Sequence, residues 1–383
     1  MRDRYEIPVA NIMTTALYFI LFLTASLGLS EEVENSTQLE WWETTLLYQI
    51  YPRSFKDSNA DGIGDLKGIS EKLDYVKSIG VDAIWIQPFY KSPMFDMGYD
   101  VEDYKAVDTI FGTIEDFKEL QKAVKDRGMK LILDYVPNHT SDKCEWFKLS
   151  ERHIEPYTDY YIWKDPKPIN ETHTTVPNNW RSIFPGSMWT WSDIRKQYYL
   201  HQFSAQQPDL NYRNPRVKKE MEDVLRFWLD LGADGFRVDA VSHLYEAAHF
   251  MDEPPPPPPS LNWKWNSNRI YTFEQPENVD LVKEWRALDN HDNSRTSSRW
   301  FDESVDVWNM WVLLLPGLAS IYYGTELGMQ DLKLRKDQQR DALDGGNGRT
   351  DRRDSYRGPM LWDGTENAGK IQASNLLPKF DRL

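Results

Sequence analysis

One cysteine, Cys144, stands alone among 383 residues, so no intrachain disulfide can form and burial and hydrogen bonding must hold the fold. A lone thiol is expected to be buried and chemically idle. Positive charge is also scarce: 45 Lys and Arg stand against 60 Asp and Glu, a formal net charge of −15. That balance argues against nucleic acid or an anionic membrane surface as a partner and suits a neutral ligand. Long apolar runs are nearly absent. The one candidate, Ala16 to Leu29, falls short of the about 20 residues that a membrane span needs. It follows Arg2 and Arg4 and precedes small residues and an acidic stretch, the layout of a secretory signal over residues 1–30. A retained signal anchor is the competing reading, because the leader ahead of the run is long.

Aromatic residues, by contrast, are plentiful, with 16 Trp and 20 Tyr. Most should pack the core, and some can offer faces on which sugar rings stack. The length suits one large α/β unit with additions. After the leader, short runs rich in Ile, Val and Tyr alternate with amphipathic stretches, the sequence form of βαβ units around a parallel sheet. Strands are expected at Leu47–Tyr51, Val81–Gln87, Leu131–Val136, Phe236–Val241 and Ala319–Tyr323. Helices are expected around Ile69–Ile79, Ile114–Asp126, Val217–Leu231, Val279–Leu288 and Val305–Leu315. The division expected is a first barrel part over 41–140, an inserted, aromatic and proline-spaced subdomain over 141–208, a second barrel part over 209–330 and a polar tail over 331–383. Pro254 to Pro259 is a six-proline run, which must be extended backbone outside the core.

Polar clusters close three of the strand-like segments: Asp134-Tyr135-Val136-Pro137-Asn138-His139, Gly235-Phe236-Arg237-Val238-Asp239, and Asp289-Asn290-His291-Asp292. In a barrel of parallel strands, catalytic groups gather at the C-terminal strand ends. Each cluster alone could be structural, since Asx residues cap helices and an Arg-x-Asp pair can be a buried ion pair. Three in order point to a site.

From about Trp41 to Gly369 the chain resembles the α-amylase superfamily, glycoside hydrolase family 13, in its maltase and α-glucosidase branch, especially insect-type secreted maltases. The resemblance rests on those clusters and on Met94-Phe95-Asp96-Met97-Gly98-Tyr99-Asp100, Gln207-Pro208-Asp209-Leu210-Asn211, Ile321-Tyr322-Tyr323-Gly324 and Arg357-Gly358-Pro359-Met360-Leu361-Trp362. It implies a TIM-type (β/α)8 barrel with a subdomain inserted after strand 3. It also implies retaining hydrolysis of terminal α-1,4-linked glucose from maltose, sucrose or short oligosaccharides. Retention calls for a carboxylate that attacks the anomeric carbon and a second acid about 5 to 5.5 Å away. By the resemblance Asp239 is the nucleophile and Asp292 the third acid that grips sugar hydroxyls. Arg237 would aim Asp239 and keep it ionised, while Asp96, Tyr99, His139, His291 and Arg357 would line the glucose pocket.

One part of the pattern is missing from the sequence. The general-acid Glu of this family stands in a Thr-Glu-Ala-Tyr type motif at the end of the fifth strand, and no such motif occurs. The segment ending Trp285-Arg286-Ala287-Leu288 runs straight into Asp289-Asn290-His291-Asp292. The expected architecture therefore lacks strands 5 and 6, and also the C-terminal β-sandwich. Glu274, Glu277 and Glu284 are the nearest acids, and none is expected to be aimed at the site. Without a proton donor, sugar leaving groups should depart slowly, since general acid catalysis contributes about 10² to 10⁴-fold. A non-enzymatic relative, such as a transporter heavy chain or a surface receptor barrel, is the alternative.

Asp57, Asn59, Asp61, Ile63 and Asp65 place alternating oxygens around a Gly turn, the form in which a loop wraps a hard cation. A plain polar turn is the competing reading, and the resemblance raises structural Ca²⁺ as the occupant. Asn35 and Asn170 match the N-glycosylation pattern. Asn138 matches it too, but within the site motif. Together these features lead us to expect a secreted protein acting on a small sugar, with no nucleic acid partner and membrane anchoring only as the minor alternative.

Overall fold

Ala83–Ile86 reads Ala-Ile-Trp-Ile, an apolar run without alternation, and all four residues are buried. Such a strand must be covered on both faces, as parallel sheets are. It is the second strand, β2, of a sheet seen in the computed structural model, which describes residues 41–170, 173–255, 269–273, 275, 285–287, 318–327, 329–332 and 353–362. The chain divides into two units, Met1–Thr44 and Thr45–Leu383. Of the first, the short helix Trp41–Thr44 is described, with its two tryptophan rings edge-on at 5.7 Å.

The second unit is built on β1 (Leu46–Ile50), β2, β3 (Lys130–Tyr135) and β4 (Gly235–Val238), joined by Trp285–Ala287 and Leu318–Tyr322. The spatial order is β4, β3, β2, β1, Leu318–Tyr322, Trp285–Ala287, and every pairing is parallel. The expected strands thus appear within a few residues of their expected bounds. One expectation is corrected: Trp285–Ala287, read as the end of a helix, is a strand beside Leu318–Tyr322. Its Trp-Arg-Ala sequence carries no helical period of its own, and tertiary pairing decides its conformation. The helix expected over Val305–Leu315 lies outside the described residues, as do the leader and all but the first two of the six prolines. Pro254 and Pro255 are exposed.

Two helices show how local sequence places the crossovers. Helix α1, Ile114–Asp126, opens with a capping box in which the Asp116 amide donates to Thr113 Oγ1 at 3.2 Å and the Thr113 amide to Asp116 Oδ2 at 2.8 Å. Its buried residues Phe117, Leu120 and Val124 recur at helical spacing. Helix α2, Pro215–Asp230, starts on a proline whose missing N–H costs nothing at that position, and the Asn214 side chain accepts from the Arg216 amide at 3.0 Å. Its buried stripe ends in Trp228, which is 0% exposed. The indole lies edge-on to Phe117 at 4.8 Å and donates through Nε1 to the Tyr104 carbonyl at 2.8 Å. Elsewhere, Glu326 Oε1 accepts from Tyr48 on β1 at 2.7 Å and from Tyr75 at 2.9 Å, tying the end of the Leu318–Tyr322 strand back to the first βα unit.

Between β3 and α2 the chain leaves the parallel sheet. It forms a three-stranded antiparallel sheet from Trp163–Lys164, Gln197–Leu200 and Trp189–Ser192, with a small core of its own around Ile162, Trp180, Met188, Trp189 and Leu200. No helix among the described residues is long and apolar enough to cross a membrane.

Replacing Trp228 with Ala should cost about 3–5 kcal/mol, because it empties the contact between two crossovers and orphans the Tyr104 carbonyl. Urea unfolding measures this, and a loss below about 1 kcal/mol would mean the site collapses without a cavity.

Candidate active site

The parallel pairing of β3 and β4 sets Arg237 directly beside Asp134. Both side chains point into the sheet's inner face, and Arg237 Nη1 donates to Asp134 Oδ1 at 3.0 Å. The same Nη1 also donates to Asp239 Oδ1, just beyond the strand end. Asp134 is fully buried, and its second oxygen accepts from Tyr99 Oη at 2.9 Å and Trp85 Nε1 at 3.2 Å. The guanidinium carbon stands 4.9 Å from the centre of the Trp85 ring. Burial alone would lower the Arg237 pKa, but the charges of Asp134 and Asp239 outweigh it and the group stays a cation. Burial pushes Asp134 up to about 6, with Arg237 pulling down and Asp239 pushing up. Immediately after Asp239 the chain turns sharply through Ala240, a non-glycine residue with φ of 49°. Such a conformation is uncommon for alanine and clusters at functional sites.

A second group forms the pocket wall. Asp96 Oδ1 accepts from Arg353 Nη2 at 2.7 Å and Oδ2 from Gln207 Nε2 at 3.1 Å, all three side chains being mostly buried. Asp100 holds the turn that presents Asp96, accepting amides from Phe95 and Asp96 at 2.9 Å, and burial raises its own pKa to about 7. His139 is buried; its Nε2 lies 3.1 Å from both the Tyr99 carbonyl and Gln207 Nε2, and its Nδ1 lies 3.2 Å from Asn138 Nδ2. Burial lowers the imidazole pKa against the opposing pull of Asp239 and Asp96.

The structure thus gathers Asp96, Tyr99, His139, Arg237 and Asp239 around one site. Arg357 has its guanidinium 5.9 Å over the Tyr51 ring and its carbonyl accepting from Ser54 Oγ at 2.6 Å. The cation on Asp96 is Arg353, four residues earlier in the same arginine-rich stretch. Asp292, His291, Glu274, Glu277 and Glu284 lie outside the described residues. Four residues given no role from sequence belong to the site: Asp134, Trp85, Gln207 and Arg353. Asp134 and Gln207 stood inside quoted motifs, but only the register reveals what they face. Cys144 is buried, and burial raises its thiol to about 11, so it stays protonated.

The 57–65 loop is folded by its own side chains. Asp57 accepts amides from Asn59 (3.0 Å), Ala60 (2.7 Å) and Gly62 (2.8 Å). Asn59 accepts from the Asp61 amide at 2.9 Å and Asp61 from the Ile63 amide at 2.8 Å, while Asp65 accepts from Gly68 at 2.7 Å and caps the following helix. Gly64 packs so closely that a Cβ there would lie 2.2 Å from the Pro52 carbonyl. Among the described residues no three His, Cys, Asp or Glu side chains converge as a metal cluster. Asp57 Oδ1 and Asp65 Oδ2 each accept two hydrogen bonds, whereas Asp57 Oδ2 and Asp65 Oδ1 each accept one and keep a second lone pair, so part of the loop's donor set is compatible with a bound cation. Of the glycosylation candidates, Asn170 is exposed, Asn35 lies outside the described residues, and Asn138 is buried.

A carboxylate held at a parallel strand end by an arginine, beside buried polar groups, stands where barrel enzymes place their catalytic groups. The chain belongs to the alpha-amylase catalytic-domain family: the profile "Alpha amylase, catalytic domain" matches residues 49–288 and 286–382. Salivary alpha-glucosidase of Anopheles gambiae is 37% identical over 464 aligned positions, covering 94% of this chain and 77% of the relative. Maltase A2 of Drosophila melanogaster is 38% identical, covering 94% and 78%. The human amino acid transporter heavy chain SLC3A1 is also similar, at 36%, covering 97% of this chain and 65% of that one. Among solved structures, the alpha-glucosyl transfer enzyme XgtA superposes with a TM-score of 0.80 at 33% identity, covering 89% and 79%.

Asp134 carries a pH signature. Its raised pKa means that the folded chain binds more protons than the unfolded chain, whose Asp titrates near about 3.9. Its contribution to stability therefore falls as pH rises from about 4 to about 6 and is level above that. Arg237→Gln removes the opposing cation, so the fall should extend above pH 6 and the loss at neutral pH should reach about 3 kcal/mol. Urea unfolding at pH 5 and 7.5 tests this: an unchanged difference between the two pH values would refute the coupling.

Proposed function

We propose that this chain is a retaining α-glucosidase of the maltase type. It removes terminal α-1,4-linked glucose from maltose, sucrose or short oligosaccharides through a glucosyl ester on Asp239. The observation that carries the reading is the bridge in which Arg237, anchored on buried Asp134, holds the Asp239 carboxylate at the end of β4. A carboxylate so held is aimed and spared from hunting for another partner. In the first displacement an Asp239 oxygen attacks the anomeric carbon and the bond to the leaving oxygen breaks. In the second, water attacks the same carbon, the bond to the Asp239 oxygen breaks and glucose leaves with its original configuration, while the water's proton makes good, through solvent, the one taken up by the departed sugar oxygen. Asp96, with Arg353 and Gln207 fixing it, would present oxygens to the far hydroxyls of a terminal glucose, which favours cleavage from a chain end. Asp292 and His291 keep the hydroxyl-binding roles that the family pattern implies. The similarity to relatives named alpha-glucosidase and maltase favours a hydrolase over a non-enzymatic barrel. The relatives named salivary point the same way for export, so we read the chain as secreted.

We further read the chain as short of the family's fifth and sixth strands. Two facts support this: the family matches meet at residues 286–288, and the alignment to the salivary relative spans 464 positions, more than the 383 residues of the chain. The outermost strands of the sheet, β4 and Trp285–Ala287, are the two that would flank such a block. The family's proton donor belongs to it, so substrates whose leaving groups depart unaided should be the preferred ones.

Mechanism-based labelling tests the nucleophile without needing a proton donor. A 5-fluoro-α-glucosyl fluoride should form a stable ester, found by peptide mass spectrometry on the fragment containing Asp239, and Asp239→Asn should abolish it. Labelling on a different carboxylate would remove Asp239 from its role.

Calcium is the ion we propose for the 57–65 loop, as a brace remote from bond cleavage, supported by alternating oxygens on a loop already wrapped. Chelation should then lower the melting temperature by several degrees, and Ca²⁺ should restore it. An unchanged midpoint would leave the loop as a self-satisfied polar turn.

A further inference from the structure

His139 meets the Asp96 group with one ring nitrogen and the returning end of the excursion after β3 with the other. On the first edge, Nε2 lies 3.1 Å from an acceptor, the Tyr99 carbonyl, and 3.1 Å from a donor, Gln207 Nε2, which also donates to Asp96 Oδ2. That edge does not choose between the two neutral forms of the ring, since each form suits one of the two neighbours. On the second edge, Nδ1 is met by the Asn138 side chain, with Nδ2 at 3.2 Å. The form of the ring therefore depends on which end of the Asn138 amide faces it.

Asp209 decides that. Its Oδ1 lies 3.1 Å from Asn138 Nδ2 and accepts the Gln202 backbone amide, also at 3.1 Å. A backbone N–H can only donate, so Oδ1 is an accepting oxygen, and the nitrogen of the Asn138 amide must face it. One hydrogen of that nitrogen goes to Asp209 and the other to His139 Nδ1. Asp209 is buried, and its Oδ2 has no hydrogen-bond partner among the described residues, so the carboxyl works through Oδ1. Burial, reinforced by the Glu246 charge, raises its pKa well above the usual carboxylate range against the hydrogen bonds from Gln202 and Asn138. A neutral acid with its proton on Oδ2 leaves Oδ1 accepting. The backbone holds the pair together as well: the Leu210 amide donates to the Asn138 carbonyl and the Asp209 amide to the Leu200 carbonyl, both at 2.9 Å.

We propose that Asp209 is a positioning residue that acts through Asn138 to keep the His139 proton on Nε2, so that the imidazole meets the Asp96 group as a hydrogen-bond donor. As a contribution to sugar binding this rests on the α-glucosidase reading and deepens it: a glucose hydroxyl beside Asp96 then has a donor in the ring and an acceptor in the carboxylate.

Long-range ¹⁵N–¹H NMR of the full chain, labelled with ¹⁵N-histidine, reads which ring nitrogen bears the proton, and His139→Gln assigns the signal among the seven histidines. The unaltered chain should show the proton on Nε2. Asp209→Asn keeps an oxygen for the Gln202 amide and should leave it there. Asp209→Leu frees the Asn138 amide to turn and should give a mixture of both forms, with the remaining histidine signals in place. Should that variant fail to fold, Asn138→Asp decides, because it sets an oxygen opposite Nδ1 at nearly unchanged volume and should draw the proton to Nδ1. A proton on Nδ1 in the unaltered chain, or one still confined to Nε2 in Asp209→Leu or Asn138→Asp, would show that Asp209 only packs the excursion against the sheet and would overturn the proposal. The readout needs no sugar, so such a result strikes the placement of the proton and spares the α-glucosidase reading, which the Asp239 labelling decides.

Discussion

Arg237 satisfies two carboxylates with one cation, and much else in the molecule is arranged to let it. Asp134 is fully buried on β3, where an ionised group is tolerated only if paired and hydrogen-bonded. Arg237 supplies the pairing, and Tyr99 and Trp85 satisfy the other oxygen. The register of β3 against β4 therefore carries a chemical consequence. A slip of one residue would turn Arg237 to the opposite face and strand a buried charge. Sheet pairing and the aim of Asp239 are thus set by the same contact, and a change that loosens one loosens the other.

The pocket wall repeats this economy of means. Tyr99 reaches Asp134 through its hydroxyl and His139 through its carbonyl, and so joins the Arg237 bridge to the groups around Asp96. Gln207 arrives from the end of the excursion after β3 to hold Asp96. Arg353 arrives from far along the chain to meet the same carboxylate. Segments distant in sequence converge here because Asp96 and Asp134 are each too buried to remain without several partners.

What could be read beforehand follows from this division between local and convergent forces. The helix Ile114–Asp126 was legible to the residue, since Thr113 and Asp116 cap it and Phe117, Leu120 and Val124 stripe it. Strands β1 to β4 were legible from apolar runs, and Asp239 with Arg237 from a motif two residues apart. The conformation of Trp285–Ala287 was not, because it depends on the strand that begins at Leu318. Nor was the partner of Asp96: Arg353 and Arg357 lie in one stretch, and the sequence contains nothing that ranks them. Only the fold shows that Arg353 donates to Asp96 and that the Arg357 guanidinium lies over Tyr51. The link from Asp209 through Asn138 to His139 was invisible for a related reason, since it closes only where the chain returns from the excursion after β3.

The flank of β4 shows what the proposed absence of two strands means physically. β2, in the middle of the sheet, is buried at every residue, whereas Val238 on β4 is 44% exposed and the other three residues of that strand are only partly covered. A parallel strand rich in apolar residues is ordinarily the best-covered part of an α/β fold. Exposed apolar side chains along its far edge are a liability for association with other chains. The contact that orients Asp239 lies on this same strand, and among the described residues its support comes from the other side. It comes from β3: the Arg237–Asp134 pair, the amide of Asp239 donating to the Tyr135 carbonyl at 2.8 Å, and the turn through Ala240. Among the described residues the Asp239 carboxylate is held from that side, through Arg237, whose own anchor Asp134 is fully buried.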